Sequence, residues 1–491
     1  MKRISSGFSP LITVNRKTSI PLHKQIYDSY REMIVTGKLR PGQQIPSTRA
    51  LTTELKISRI PLLTAYSQLL AEGYFETHKG AGTFVCSSLP DQMPRLDGVV
   101  TSSTRSAFRA RPVAHRMRIL PPFERPPWFG PGPFSVGEPA CDEFPFKIWS
   151  SLVARHCRNN PPSTFYYGHP LGLEPLRDAI CEYLTTARRV RCTPKQLIIT
   201  SGSQQALEIS ARVLLDPGTP VWVEEPSYWL TQQVVRLAGA QLIPVPVDGE
   251  GIKVSAVLER HRKARVAYVA PSHQYPLGST MSASRRLQLL DWAQNSGSWI
   301  VEDDYDSEYR YENMPVASLQ GLDSNARVIY IGTFSKVLFP SLRIGYVVVP
   351  EDLINHFVAA RRVMDITASY LPQAVLTDFI REGHFARHIR RMRQLYQERR
   401  TALVNALRKE FGPTLEILGA EAGMHLLMLL PKGCRDLDIA NRAARQKLWV
   451  TPLSSCDLKD PRSQGLILGF GGTRAVEIPR AVRQLAGVVG L

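Results

Sequence analysis

Lys336 lies in GTFSKVLFPSLRIGY, residues 332–346, behind an apolar run, with Ser335 before it and Arg343 seven residues after. A lone lysine is usually a solvated surface residue, so its neighbours decide what it does. Upstream, WIVEDDYDSE (299–308) ends an apolar run on Asp303 and Tyr305. Further upstream, TSGSQQAL (200–207) runs from strand through Gly-Ser into helix and supplies Gly202, Ser203 and Gln204. Between them, EEPSYW (224–229) offers the aromatic side chains of Tyr228 and Trp229.

These residue types suit one kind of cofactor chemistry. A lysine amine forms a Schiff base with an aldehyde. A carboxylate facing a pyridine nitrogen keeps it protonated, so that the ring acts as an electron sink. A helix N-terminus behind a small-residue turn binds phosphate through free N–H groups and the helix dipole. The set predicts pyridoxal 5′-phosphate, with Lys336 on the aldehyde, Asp303 at the ring nitrogen and Tyr305 at the phenolate oxygen. Tyr228 stacks on the ring, and Gly202, Ser203, Gln204, Ser335 and Arg343 hold the phosphate. Each motif alone is weak, since TSGSQQAL also fits a plain strand–helix turn. Their order and spacing together carry the reading.

The elements that must position these residues are short apolar strands alternating with helices. Strands are predicted at 196–202, 220–226, 241–247, 266–272, 299–305, 327–335 and 344–350, with amphipathic segments such as SQQALEISARVLL and SRRLQLLDWAQNSG between them. Such a pattern predicts an α/β fold with a mostly parallel sheet covered on both faces. Functional groups then gather beyond the strand C-termini. A long basic helix at about 384–410 and strands LEILG, GMHLLMLL and GLILGF predict a smaller α+β domain at the C-terminal end.

The 491 residues allow two or more domains. No run of about 18 uncharged apolar residues suggests a membrane span, and the N-terminus lacks the apolar core of a secretory signal. Seven dispersed cysteines without a CxxC pair argue against a zinc or disulfide framework, name no metal ligand and point to a reducing cytoplasm. The net charge of +18 is uneven: residues 1–86 contribute +7 and residues 87–128 contribute +4. A basic excess at one end suggests nucleic acid as partner.

Residues 15–86 read as three helices and a hairpin. Ile26, Tyr30, Ile34 and Val35 follow helical spacing, and Gly37 closes that helix. Ser47 caps a second helix through Leu55, and Ser58 caps a third whose Leu62, Leu63, Tyr66, Leu69 and Leu70 face inward. Tyr74–Val85 reads as a two-stranded wing with the basic tip HKGAG. This is a winged helix-turn-helix, with the third helix entering the major groove of double-stranded DNA. Arg49, Ser58, Arg59 and Thr64 reach phosphates or base edges, and Lys79, Gly80 and Gly82 bring the wing to the backbone. Residues 87–128, rich in Pro, Ser and Arg, read as a linker, and residues 129–491 as the effector body.

The head resembles the GntR-family winged helix through PGQQIPSTRALTTEL, SRIPLLTAYSQLLAEGY and GAGTFV. Ile60-Pro61 departs from that pattern, where polar residues are common, which leaves base preference there open. Residues 129–491 resemble a fold-type I aminotransferase, and YYGHPLGLEPLRDAICEYL matches that family's dimer-interface segment. The resemblance implies a homodimer in which Tyr167 or Tyr166 reaches the partner's cofactor. Head, linker and body together resemble the MocR-type subfamily of GntR regulators, carried by PSHQYPLG, EDDYDSEYRY, GTFSKVLFPSLRIGY and HIRRMRQLYQERR.

Two departures from working aminotransferases stand out against that resemblance. The turn that usually carries Asn before Pro reads QYPLG, with Tyr275 at or near that place. The late strand that usually carries a carboxylate-gripping arginine reads GLILGF, leaving Arg442, Arg462 and Arg474 as alternatives. The expected function is therefore transcription regulation, in which the body senses pyridoxal phosphate, or an amine or amino acid forming an aldimine with it. The alternative is an active aminotransferase with an accessory DNA-binding domain.

Overall fold

The computed structural model describes residues 12–88, 112–118, 120, 125–311, 317–458, 461 and 463–490. The chain forms two compact units, one running to Arg111 and one from Pro112. Within the span 87–128, the described part includes one helical turn, His115–Arg118.

In the first unit, α1 (Leu22–Val35) packs on α3 (Arg59–Ala71), with β1 (Gln44–Ile45) and α2 (Thr48–Leu55) between them in sequence. Ile26, Tyr30 and Ile34 of α1 meet Leu62, Tyr66 and Leu69 of α3 in one buried core. The rings of Tyr30, Tyr66 and Phe75 meet edge-on at 5.2–5.6 Å, the arrangement their ring quadrupoles favour. Tyr66 donates to Pro46 O at 2.7 Å, so its buried hydroxyl has a partner. The Ser47 side chain accepts from Ala50 N and starts α2, as its position before the helix predicts. Gly37 and Gly73 take positive φ of 74° and 77° where α1 and α3 end. Leu63, expected to face inward, is exposed, and so is Val35 at the end of α1. Each lies one residue, about 100° of helix, from a member of the buried stripe. The wing pairs β2 (Phe75–His78) with β3 (Gly82–Val85), and β1 adds a third strand on the other side of β3.

The second unit is built on an eight-stranded sheet. Its strands are β4 (Leu197–Thr200), β5 (Pro220–Glu225), β6 (Gln241–Asp248), β7 (Gly251–Ile252), β8 (Val266–Val269), β9 (Trp299–Asp304), β10 (Val328–Thr333) and β11 (Gly345–Val348). They lie in the order β4-β11-β10-β9-β8-β5-β6-β7. Neighbours from β10 through β6 pair in parallel, and β7 and β11 run opposite to them. β4, β8 and β10 are buried along their whole length, as their unbroken apolar runs require, whereas β6, beside the short edge strand β7, is only partly buried. Helices cover both faces, giving two separate hydrophobic clusters across the sheet. The C-termini of β4, β5, β8, β9 and β10 all open at one edge. There the sequence places Gly202, Tyr228, His273, Asp303 and Lys336.

The C-terminal part is a four-stranded antiparallel sheet. It is ordered β12 (Ile417–Leu418), β13 (His425–Leu429), β15 (Gly465–Gly469), β14 (Thr451–Pro452). The basic helix His384–Phe411 and the C-terminal helix Ile478–Val489 pack together and share one core with this sheet. Among the described residues, no helix is long and apolar enough to cross a membrane.

Candidate functional site

The turn after β10 carries Lys336 back toward the strand edge, where its Nζ donates to Gly137 O at 2.9 Å. A Cβ on Gly137 would displace that flexible amine, and the φ of +75° there also favours glycine. Burial pulls the Lys336 pKa below the ordinary lysine value, while Asp306, Glu138 and Asp303 oppose the shift. The amine thus lies nearer the neutral, nucleophilic form than a surface lysine does.

Asp303 sits near the end of β9, and strand alternation separates its role from its neighbours'. Glu302 accepts from Leu319 N and Gln320 N, at 3.0 and 2.9 Å. Asp304 ion-pairs with Arg188 at 2.8 Å and accepts from the Tyr330 hydroxyl. Asp303 faces the other way, toward the lysine side. Burial, with Asp304 and Asp306 adding to it, pushes its carboxyl up to about 7. Its Oδ1 is buried without a hydrogen-bond partner. A charged N–H donor, such as a protonated pyridine nitrogen, fits that oxygen and would restore the carboxylate.

The residues expected at the phosphate also converge. Gly202 has φ of +90°, and a Cβ there would lie 2.8 Å from Arg343 Nη2. Arg343 itself takes a left-handed φ of 53° and donates to Ser201 O at 2.7 Å. Ser203 begins the helix Ser203–Leu214, whose first N–H groups open toward the strand edge. Ser335 Oγ and Gln204 Oε1 are buried without partners. A helix N-terminus, a guanidinium and an unused hydroxyl together match an anionic oxygen cluster. The donor set fits pyridoxal phosphate.

Tyr228 precedes the helix Trp229–Leu237 and meets Tyr275 edge-on at 5.8 Å. Asp303 and Arg343 both act on its hydroxyl, which puts it beside both. Tyr305 lies within 3.1 Å of His273 Nδ1, and burial raises its hydroxyl pKa well above the ordinary value. Tyr166 and Tyr167 stand apart, 77% and 84% exposed in the single chain. Of the three arginine alternatives, Arg442 is exposed on the helix Asp436–Arg445 and Arg474 ion-pairs with Asp142 at 3.5 Å. Arg462 lies outside the described residues.

The sequence reading missed several neighbours. Gly137 comes from a loop before the first body strand, and His273, Asp306 and His425 come from three separate segments. Glu224, in EEPSYW, has no role that its local sequence suggests. It is buried, pushed up to about 8 mainly by burial, and accepts from Gln274 Nε2 at 3.3 Å. None of these carries a local spacing signal. His273 in PSHQYPLG and Asp306 in WIVEDDYDSE both lie just past a strand end, and His425 opens the strand in GMHLLMLL, but nothing in those stretches says that the three meet.

In the first unit, Arg49, Ser58, Arg59, Thr64, Lys79, Gly80 and Gly82 are all exposed. Ser58 makes no capping bond to α3, so its hydroxyl is not used by the helix it precedes. Thr64 donates to Ile60 O at 3.1 Å. The N-terminal end of α3 and the wing tip therefore present polar groups outward, as groove recognition requires.

Comparison with known proteins bears on both units. Residues 22–85 match the family described as bacterial regulatory proteins, gntR family, and residues 134–474 match aminotransferase class I and II. The chain is 40% identical over 471 residues to the probable rhizopine catabolism regulatory protein MocR of Rhizobium meliloti, covering 94% of this chain and 92% of that one. It is 31% identical over 454 residues to the pyridoxine biosynthesis transcriptional regulator PdxR of Corynebacterium glutamicum, covering 92% of each. The structure of kynurenine aminotransferase from Pyrococcus horikoshii, in complex with PMP, superposes with a TM-score of 0.68 at 30% identity, over 73% of this chain and 90% of that one.

Proposed function

The chain belongs to the MocR-type subfamily of GntR-family transcriptional regulators, and we propose that it is a dimeric, pyridoxal-phosphate-responsive regulator of operator DNA. The observation that carries this reading is the coincidence, in one chain, of an outward-facing winged helix with buried polar atoms lacking partners around Lys336. Lys336 would hold the cofactor aldehyde, Asp303 its ring nitrogen and Tyr305 its ring oxygen. Gly202, Ser203, Gln204, Ser335 and Arg343 would hold its phosphate, and Tyr228 would cover its ring. The bound group supplies an aldehyde that exchanges its amine partner. The cofactor, or an amine or amino acid that displaces Lys336, would then favour one of two arrangements of the body. Such coupling requires different affinities for the two states. Exposure of Tyr166 and Tyr167 supports a second subunit that covers them and completes both sites. Two heads on one dimer favour paired half-sites. With no membrane-spanning helix among the described residues, action in the cytoplasm is consistent.

A second reading, turnover as an aminotransferase, is favoured by the complete set Asp303, Lys336 and Arg343. It is disfavoured by β15, which carries no arginine. The test is a gel-shift titration of the full chain on its own upstream DNA, without cofactor, with it, and as Lys336→Ala with cofactor. A cofactor-dependent change in affinity that disappears in the variant is expected. Steady turnover of an amino acid and a keto acid, with no specific DNA binding in any lane, would establish the enzyme reading instead.

A further inference from the structure

His273 follows β8, Asp306 follows β9, and His425 opens β13 of the C-terminal sheet. The fold brings these three residues together, each 1–2% exposed. One donor atom from each lies within 4.8 Å of the others. Both Asp306 oxygens lie 3.1 Å from His273 Nδ1, and so does the Tyr305 hydroxyl. The imidazole rings of His273 and His425 are 4.7 Å apart. His425 Nε2 is buried with no hydrogen-bond partner.

Ordinary hydrogen bonding leaves this cluster incomplete. His273 Nδ1 carries at most one proton, yet three oxygens crowd it. His425 Nε2 offers a donor or a lone pair that nothing answers, which is costly when buried. Lys336, the nearby amine, is directed to Gly137 O instead. Two imidazoles and one carboxylate are a ligand set for zinc and similar divalent metals. Zinc–nitrogen and zinc–oxygen distances are roughly 2.0–2.2 Å. At such distances, ligand atoms 3.1 Å apart subtend roughly 95° at the metal, an ordinary coordination angle. Since the three donor atoms lie within 4.8 Å of one another, the widest pair would have to close by up to roughly 1.4 Å to reach tetrahedral spacing. Gly423 permits the close pass of its segment: a Cβ there would collide with the His273 ring and crowd Asp306.

We propose that His273, Asp306 and His425 form a binding site for a zinc-class divalent cation, with the Tyr305 hydroxyl as the nearest further oxygen. Two ligands belong to the large sheet and one to the C-terminal domain. The cation therefore draws the C-terminal domain onto the strand edge that carries Lys336.

The test uses the full, tag-free chain with its cofactor, freed of metal by chelator and then equilibrated with zinc chloride. One zinc retained per chain is expected. His425→Gln and Asp306→Asn should each weaken it by at least the roughly 10–100-fold that loss of an outer-shell partner costs. The double variant Cys181→Ser/Cys192→Ser removes a thiol pair 3.4 Å apart and should leave binding unchanged. Failure of the wild type to retain zinc, retention unaffected by His425→Gln, or loss in the cysteine variant would overturn the proposal. Should the histidine variant fail to fold, cobalt in the wild type decides. Visible bands of nitrogen and oxygen ligation support the site, whereas a thiolate charge-transfer band, or no bound cobalt, rejects it.

Discussion

Replacing Asp303 by Asn should stabilise the cofactor-free protein while weakening its hold on the cofactor. Burial and the flanking carboxylates raise Asp303 from 3.8 to about 7. A carboxyl whose folded pKa is raised contributes stability that is fully present below the unfolded value, and that stability is lost as pH rises through the folded one. The window here is therefore between about pH 4 and pH 7. A shift of roughly three units at 1.36 kcal/mol each gives an upper limit of about 4 kcal/mol. Asp303 keeps some exposure and shares its surroundings with Asp304 and Asp306, so a cost of roughly 1–3 kcal/mol is the working figure. The Asn side chain avoids it. Thermal melts of cofactor-free wild type and Asp303→Asn should nearly coincide at pH 4 and separate by a few degrees at pH 8, the variant melting higher. Adding pyridoxal phosphate should raise the wild-type melting temperature more than the variant's, because the amide cannot balance a pyridinium charge. Equal separation at both pH values, or a variant that melts lower at pH 8, would refute the electrostatic account of Asp303.

Further outcomes follow from individual contacts. Gly202→Ala places a Cβ 2.8–3.0 Å from the Arg343 guanidinium at φ of +90°. At roughly 1–3 kcal/mol of strain, a cofactor titration should show affinity lower by about tenfold or more. Lys79→Ala at the wing tip should weaken binding to all DNA sequences alike and reduce the salt slope by about 1, read from binding isotherms at several salt concentrations. Leu62→Ala removes a fully buried side chain from the small head core. At roughly 2–5 kcal/mol it should melt the head and abolish operator binding, while the absorption of the lysine-bound cofactor persists.

Much of the architecture was legible because local pattern and final environment agree. Each of the seven predicted body strands is present within a few residues, since short apolar runs bounded by turn residues suit strands of a covered sheet, even at β6, which is only partly buried. Lys336 and Asp303 stood out because each lies just beyond or at the end of such a strand, and Arg343 because it lies two residues ahead of β11. The inward placement of Leu63 failed because one residue of helix turns a side chain by about 100°. The wing's third strand, Gln44–Ile45, is two residues long and too short to announce itself.

The sequence alone determined the winged head, the alternating α/β body and the order of the candidate site residues, because strand and helix periodicity and turn chemistry are local properties of the chain. Only the tertiary structure decided that Gly137 receives the lysine amine, that Asp303 faces the site while Asp304 faces Arg188, and that His425 meets His273 and Asp306. Those contacts join segments far apart in the chain. They are set by the close packing of two sheets, where spacing along the sequence carries no information about distance in space.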